Sequence, residues 1–250
     1  MNLRVQPSVN SALEPVFAES LAARDGAALR DEFLSHDEFI VLADFLPPAC
    51  LQTLLAALPG LASQVHRNYI PHHKKGGSVS RFALDAAAPQ FAELYQLPAL
   101  LALLRGLTGQ ALQACPADDP HAYALYYYTE PGDHIGYHYD TSYYAGARYT
   151  VLLGLLDASS CRFEYQLYKK DPARTTEIAS LQLTPGMLVL FNGDKLYHRV
   201  TPLGRHEQRI ALTLEYVTSN QMHPVRRFVS NMKDSIAYFG FKQVFSRRRI

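Results

Sequence analysis

Residues 128–140 read YTEPGDHIGYHYD, and residues 185–202 read PGMLVLFNGDKLYHRVTP. In the first stretch His138 and Asp140 stand two residues apart. An extended backbone turns residues i and i+2 to the same face, so both side chains can reach one point. In the second, the apolar run Met187 to Phe191 lies between the turn signals Pro185-Gly186 and Asn192-Gly193, and His198 follows. Two imidazoles and a carboxylate, each beside a β-run, make a candidate metal set.

Working outward, short β-runs follow one another from about residue 121. They are Tyr123 to Glu130, Tyr149 to Leu156, Phe163 to Tyr168, Glu177 to Leu183, Met187 to Phe191 and Arg209 to Val217. Pro131-Gly132 and Asp157-Ala158-Ser159-Ser160 supply further breaks. Strands at this spacing suggest a sandwich or jelly roll. Ahead of them, residues 1–36 read as a loose lead-in with one helix, and Phe39-Ile40-Val41-Leu42 as a strand. Pro47-Pro48 opens a helix carrying Leu51, Leu54, Leu55 and Leu58, which Pro59-Gly60 stops. His72 to Gly77 reads as a polar loop, and Leu100, Leu101, Leu104 and Leu107 mark another helix. After the β-runs, Phe228, Met232, Ile236 and Phe239 line one side of a last helix ended by Gly240. The expected fold is α+β with a mainly β core, a cupin-like double-stranded β-helix with flanking helices. Residues 1–250 form one domain: a mainly helical lead-in and support over 1–120, the jelly-roll core over 121–218, and a helix and tail over 219–250.

The chain has 250 residues, 48% hydrophobic and 19% charged, with a formal charge of +1. That is an ordinary globular balance, with no field to draw the chain to nucleic acid or to a membrane surface. Cys50, Cys115 and Cys161 are far apart, which argues against a disulfide framework or a Cys-rich zinc site and suits a reducing compartment. No apolar run has the length of a signal peptide or a membrane span, so the chain is expected to be cytoplasmic.

Taken alone, His138-Tyr139-Asp140 is a weak signal, because the chain has ten histidines. Its companions decide its meaning. Two imidazoles and one carboxylate on one face of an octahedral ion leave three positions open, the arrangement that suits non-haem iron(II) and oxygen chemistry. Arg209 stands at the head of the apolar strand Ile210-Ala211-Leu212-Thr213-Leu214, and a buried guanidinium offers a planar fork for a carboxylate. Arg209, Ala211, Thr213 and Glu215 alternate onto one face.

These segments, in this order and spacing over residues 121–218, resemble the Fe(II)/2-oxoglutarate-dependent oxygenase superfamily, prolyl hydroxylases included. The matching pieces of the first half are Tyr128 to Gly132, His138-Tyr139-Asp140 and Arg148 to Leu153. Those of the second half are Pro185 to Phe191, His198 to Pro202 and Arg209 to Leu212. The resemblance implies His138, Asp140 and His198 as iron(II) ligands and Arg209 as the residue that takes the distal carboxylate of 2-oxoglutarate. It implies hydroxylation of a substrate C–H with O2, giving succinate and CO2, with ascorbate sustaining activity. The sequence departs from the family at Ser160-Cys161-Arg162, where a Gly-Gly pair is frequent, and at Ala211, where a Ser or Thr is frequent. The second departure leaves Tyr126 and Tyr128, on a strand face shared with Glu130, as candidates for the hydroxyl that assists Arg209.

More faintly, the flanking helices and residues 72–81 are similar to a group acting on free, lysine-like amino acids, halogenases and hydroxylases together. Halogenases of that group carry Gly in place of the Asp ligand, so Asp140 implies hydroxylation. The expected partner is therefore a small molecule, a free and basic amino acid, with oligomeric state open. An inward Glu215 suits a substrate ammonium, with Thr213 beside it. Lys74, Lys75 or Arg81 would supply a cation for a substrate carboxylate, and His134 and Glu130 complete the candidate contacts. Glu215 has a competing reading as the partner of an internal Arg such as Arg148. Three other functions stand against this one. A prolyl-type protein side-chain hydroxylase would show an open groove, and a non-catalytic metal-binding jelly-roll sensor would not convert 2-oxoglutarate. A nucleic-acid dealkylase would carry a second Arg where Glu215 stands.

Overall fold

Val151, Leu153 and Leu155 alternate with Leu152 along one strand, and both sets are apolar. Such a strand is buried on both faces, so it needs cover on two sides. The computed structural model, which describes residues 13–22 and 24–221, supplies both covers. Residues 1–12, the expected helix through Phe228, Met232, Ile236 and Phe239, and the Arg247-Arg248-Arg249 tail lie outside the described residues.

In chain order, α1 (Leu13–Ala22) and α2 (Gly26–Ser35) precede β1 (Phe39–Leu42). Next come α3 (Pro48–Leu61), β2 (His66–Ile70), β3 (Lys74–Ser80), α4 (Arg81–Ala87), α5 (Gln90–Tyr95) and α6 (Pro98–Thr108). The strands β4 (Gln113–Ala114), β5 (Tyr123–Tyr128), β6 (His134–His138), β7 (Arg148–Ala158) and β8 (Phe163–Leu167) come after them. The chain continues through β9 (Glu177–Leu181), β10 (Leu188–Asn192), β11 (Tyr197–Val200) and β12 (Gln208–Val217). The strands join in the order β1-β10-β7-β12-β5-β3-β6-β11-β8-β9, with β2 added to β3 and β4 to β12.

This long sheet curls over on itself. Leu152, Val189, Ala211 and Tyr128 of the first strands share one buried cluster with Ile135, Phe163 and Val200 of the last strands. The opposite face of the first strands, with Val151, Leu153, Leu188, Leu212 and Tyr216, packs against Phe33, Leu54, Leu100 and Leu104 of the helices. The fold is thus a double-stranded β-helix flanked by helices on one side. Each fully buried Leu or Phe contributes about 1.5–3 kcal/mol relative to exposure. Among the described residues no helix is long and apolar enough to cross a membrane.

Three sequence expectations change. The lead-in holds two described helices, and Asp25 caps the second by accepting from the amides of Ala27 and Ala28 at 3.0 and 3.1 Å. Pro59-Gly60 does not stop α3, which runs to Leu61. Pro59 falls in the last turn, where its missing N–H removes only one ladder bond, and the Ala62 N–H donates to the Pro59 carbonyl. The polar segment 72–77 is not one loop. Residues from Lys74 belong to β3, which pairs with β2, β5 and β6 and so ties the two layers together. Gly76 and Gly77 read as breakers, yet both lie in β3 and Gly77 serves close packing. A Cβ on Gly77 would lie 2.5 Å from Val65 Cγ1 and 3.3 Å from Tyr127 Cβ. Strands β1 and β3, both from before residue 121, therefore enter the β core.

Gly154 marks another close approach. Its N–H donates to the Met187 carbonyl at 3.0 Å, its own carbonyl accepts from the Gly186 N–H at 2.9 Å, and a Cβ there would overlap the Thr184 carbonyl. Gly154→Ala is expected to destabilise the fold by about 1–3 kcal/mol through this overlap. A chemical-denaturation midpoint equal to that of the parent would contradict the packing described.

Candidate metal centre

The centre begins with a register. β6 and β11 pair antiparallel with His138 directly opposite His198, and their ring centroids lie 4.3 Å apart. The His138 Nδ1 faces the Gly136 carbonyl at 2.8 Å and the His198 Nδ1 faces the Leu196 carbonyl at 3.1 Å. A carbonyl only accepts, so this network assigns the ring proton to Nδ1 in both rings. Each Nε2 is left with a lone pair for a metal.

Asp140 comes just after the end of β6. Its Oδ1 is 3.4 Å from His138 Nε2 and its Oδ2 is 3.8 Å from His198 Nε2. One donor atom from each of the three residues falls within 4.8 Å of the others. A first-row divalent ion with bonds of about 2.0–2.2 Å spans such a gap. Burial and the neighbouring His138 push the His198 imidazole down to about 4, so it is neutral and ready to ligate at ordinary pH. Burial alone would raise the Asp140 carboxyl. The two histidines and Arg148 outweigh it and hold the group below the usual carboxylate range.

Neighbouring groups fix Asp140. The Thr150 hydroxyl lies 2.9 Å from its Oδ2. Gly193 packs so closely that a Cβ would meet the Asp140 carbonyl at 2.5 Å and its Cβ at 2.9 Å. The approach to β6 is fixed as well. Gly132 turns with φ of 82°, and the buried Asp133 accepts from Arg67 at 2.9 and 2.6 Å and from the amides of Thr129 and Glu130. The sequence reading gave no site role to Thr150, Gly193 or Asp133. Thr150 and Arg148 did carry a signal, since they alternate with Leu152 on one strand face.

The donors border a cavity of about 170 Å³. β12 forms one wall, with Arg209, Ala211, Thr213 and Glu215 all facing the cavity, as their alternation predicts. Opposite them in register stand Tyr128, Tyr126 and Ala124 of β5. At about 3.3 Å per residue, Arg209 and Glu215 sit roughly 20 Å apart along the strand, so they mark opposite ends. Arg209 is 3% exposed, and its guanidinium lies 5.1 Å from the Tyr128 ring. No acidic side chain among the described residues pairs with it. Burial pushes the Tyr128 hydroxyl up to about 12, so it stays protonated beside Arg209.

At the other end Glu215 Oε2 accepts from Arg148 Nε at 2.8 Å and lies 2.9 Å from the Thr150 hydroxyl, whose one proton it shares with Asp140 Oδ2. The competing reading of Glu215, as partner of Arg148, thus describes its contact, while both residues still line the cavity. Burial, reinforced by Asp140, raises the Glu215 carboxyl to about 7 against the pull of Arg148. Thr213 also lines the cavity, and its hydroxyl donates to the Ala124 carbonyl at 3.2 Å. His73 and His121, which show no ligand spacing in sequence, are wall residues too.

Four expected substrate contacts lie elsewhere. Lys75 donates to the Pro131 carbonyl at 2.8 Å and, 3.7 Å from Glu130, joins the turn before β6. Glu130 lies past the end of β5, half-exposed, where it pairs with Arg67 at 2.9 Å. The Nδ1 of His134 faces the Gly132 carbonyl at 2.8 Å, within the same turn. Arg81 donates to the Pro116 carbonyl at 3.0 Å and stacks on Tyr123. None of the four is on the cavity wall. Lys74 is buried with its ammonium 4.9 Å from the Tyr126 ring, and burial pushes it down to about 7.

No protein-family model matches the sequence, and no curated protein matches it. Solved structures do. The non-haem α-ketoglutarate-dependent epimerase SnoN from nogalamycin biosynthesis is similar with a TM-score of 0.64 at 16% identity, over 77% of this chain and 82% of that one. A prolyl hydroxylase from Trichoplax adhaerens, in complex with a hypoxia-inducible-factor peptide fragment, gives 0.62 at 14% identity, over 89% and 98%. A prolyl-4-hydroxylase from Pseudomonas putida gives 0.54 at 18% identity, over 78% and 98%. At these identities the likeness is one of fold, and the chain has the double-stranded β-helix fold of Fe(II)/2-oxoglutarate oxygenases.

Proposed function

We propose that the chain is an Fe(II)- and 2-oxoglutarate-dependent dioxygenase that hydroxylates an unactivated C–H of a small molecule, a free amino acid. One observation carries the oxygenase reading: a two-His, one-carboxylate donor set and a buried arginine with no acidic partner among the described residues share one cavity. His138, Asp140 and His198 would hold iron(II), and Arg209, with Tyr128 and Tyr126 beside it, would take the distal carboxylate of 2-oxoglutarate. Iron(II), when bound, supplies activation of O2 coupled to oxidative decarboxylation of 2-oxoglutarate to succinate and CO2.

The chain's own residues do the rest. The two backbone carbonyls keep both imidazoles in the ligating tautomer. Thr150 and Gly193 keep the Asp140 carboxylate in place. Leu152, Phe163, Ile135 and Val200 give the cavity an apolar lining that excludes water, which strengthens a guanidinium–carboxylate pair. A carboxylate ligand at Asp140 favours hydroxylation over halogenation, and the polar end at Arg148 and Glu215 suits an amino-acid substrate. A protein side chain is the second reading, favoured by the peptide that the Trichoplax neighbour holds.

Incubation with Fe(II), 2-oxoglutarate, ascorbate and each of the standard amino acids or ornithine should yield succinate, and one of them should gain a single oxygen atom. His138→Ala and His198→Ala should abolish both products, and retained turnover in either would sink the metal assignment. Thr150→Val should lower metal affinity about 10–100-fold by freeing the Asp140 carboxylate, as read by Co(II) titration. An unchanged Co(II) affinity would remove Thr150 from the account.

A further inference from the structure

The ion pair at the substrate end of the cavity is incomplete in a specific way. Arg–carboxylate pairs that serve only each other favour a two-pronged fork. Here Arg148 uses only Nε, donating to Glu215 Oε2 at 2.8 Å. Among the described residues no acceptor engages its two terminal nitrogens, and no donor engages Glu215 Oε1. Both residues line the cavity, and none of these three atoms is among the sealed, unpartnered polar atoms of the described residues. Two donor nitrogens and one acceptor oxygen, opposite in charge, therefore remain unengaged on two paired residues that line the same cavity. Buried charged groups left without partners are costly, so this edge calls for a ligand that carries both charges.

We propose that Arg148 and Glu215 form the receptor for the head group of a free α-amino acid, with the carboxylate on Arg148 and the ammonium on Glu215. An α-amino acid carries both groups on one carbon, which matches adjacent sites of opposite sign. An amine or a simple acid satisfies only half of the edge, and a residue within a peptide has neither charge at its α-carbon. The placement also suits chemistry on the side chain. Thr150 bridges Glu215 to Asp140 with contacts of 2.9 Å on each side, so the receptor is a few hydrogen-bond lengths from the metal donors. A head group held there leaves the side chain to extend over the metal. Arg148 thereby takes the carboxylate role first expected of Lys74, Lys75 or Arg81. The inference deepens the amino-acid reading above, and it rests on the oxygenase reading only for the chemistry after binding.

The test uses the full chain loaded with Mn(II) and 2-oxoglutarate, titrated calorimetrically with the standard amino acids and ornithine. At least one should bind. Its decarboxylated amine and its Nα-acetyl derivative should each bind about ten-fold or more weakly. Arg148→Met should weaken the amino acid but not the amine, and Glu215→Gln should weaken the amino acid but not the acetylated form. The receptor is overturned if no amino acid binds, if amine or acetyl form binds as well as the parent, or if only a proline-containing peptide binds. The unmutated protein alone decides between these outcomes should either variant fail to fold. Succinate formation with Fe(II) and O2, measured in parallel, separates the two proposals. Selective amino-acid binding without succinate keeps the receptor and removes the oxygenase, while succinate without amino-acid binding does the reverse.

Discussion

The site depends on the pairing of β6 with β11, which sets His138 opposite His198. A strand's side chains alternate faces, so a slip of one residue would turn one imidazole away from the other. The register is held from both sides. Asp133, buried in the turn before β6, fixes that strand's start through Arg67 and two amides. Phe163 and Phe191 pack against the His198 ring at 5.3 and 4.9 Å between centroids. Asp140 then needs little more than Thr150 and Gly193 to complete three converging donors.

The second organising feature is β12. Its inward residues run from the buried guanidinium of Arg209, which has no acidic partner among the described residues, through small Ala211 and Thr213 to Glu215, which pairs with Arg148 of β7. The small residues leave room between the two ends, within the cavity that the metal donors also border. In the proposed reading one strand would present a carboxylate-binding end at Arg209 and an amino-acid head-group end at Glu215. The strand's outward residues, Leu212, Leu214 and Tyr216, anchor it to the helical layer.

Much of this was legible in the sequence, because period-2 alternation and turn residues report directly on a sheet. The β-runs from Tyr123 to Val217 lie within a residue or two of observed strands, except that Glu130 falls outside β5, and the face of β12 was readable from Arg209 and Glu215. The failures have physical causes. Gly76 and Gly77 look like breakers when read locally, yet Gly77 supplies the space that β3 needs against Val65 and Tyr127. Lys74, Lys75, Arg81, His134 and Glu130 were polar groups near the right segments, but none of them lines the cavity; carbonyls or opposite charges engage Lys75, Arg81, His134 and Glu130 elsewhere. Thr150 lies inside the matching run Arg148 to Leu153 and Gly193 inside a turn signal, but neither pattern points to Asp140. Their importance arises from contacts with Asp140, made across distant parts of the chain.

The central claim is that one cavity binds 2-oxoglutarate between the three donors and Arg209. Titrating Mn(II)-loaded protein with 2-oxoglutarate and with 2-oxopentanoate, which has a methyl group in place of the distal carboxylate, tests it most directly. The account predicts strong preference for 2-oxoglutarate in the parent chain, dependence of that binding on the metal, and loss of the preference in Arg209→Met. Equal affinity for the two acids in the parent chain, or an undiminished preference in Arg209→Met, would contradict it.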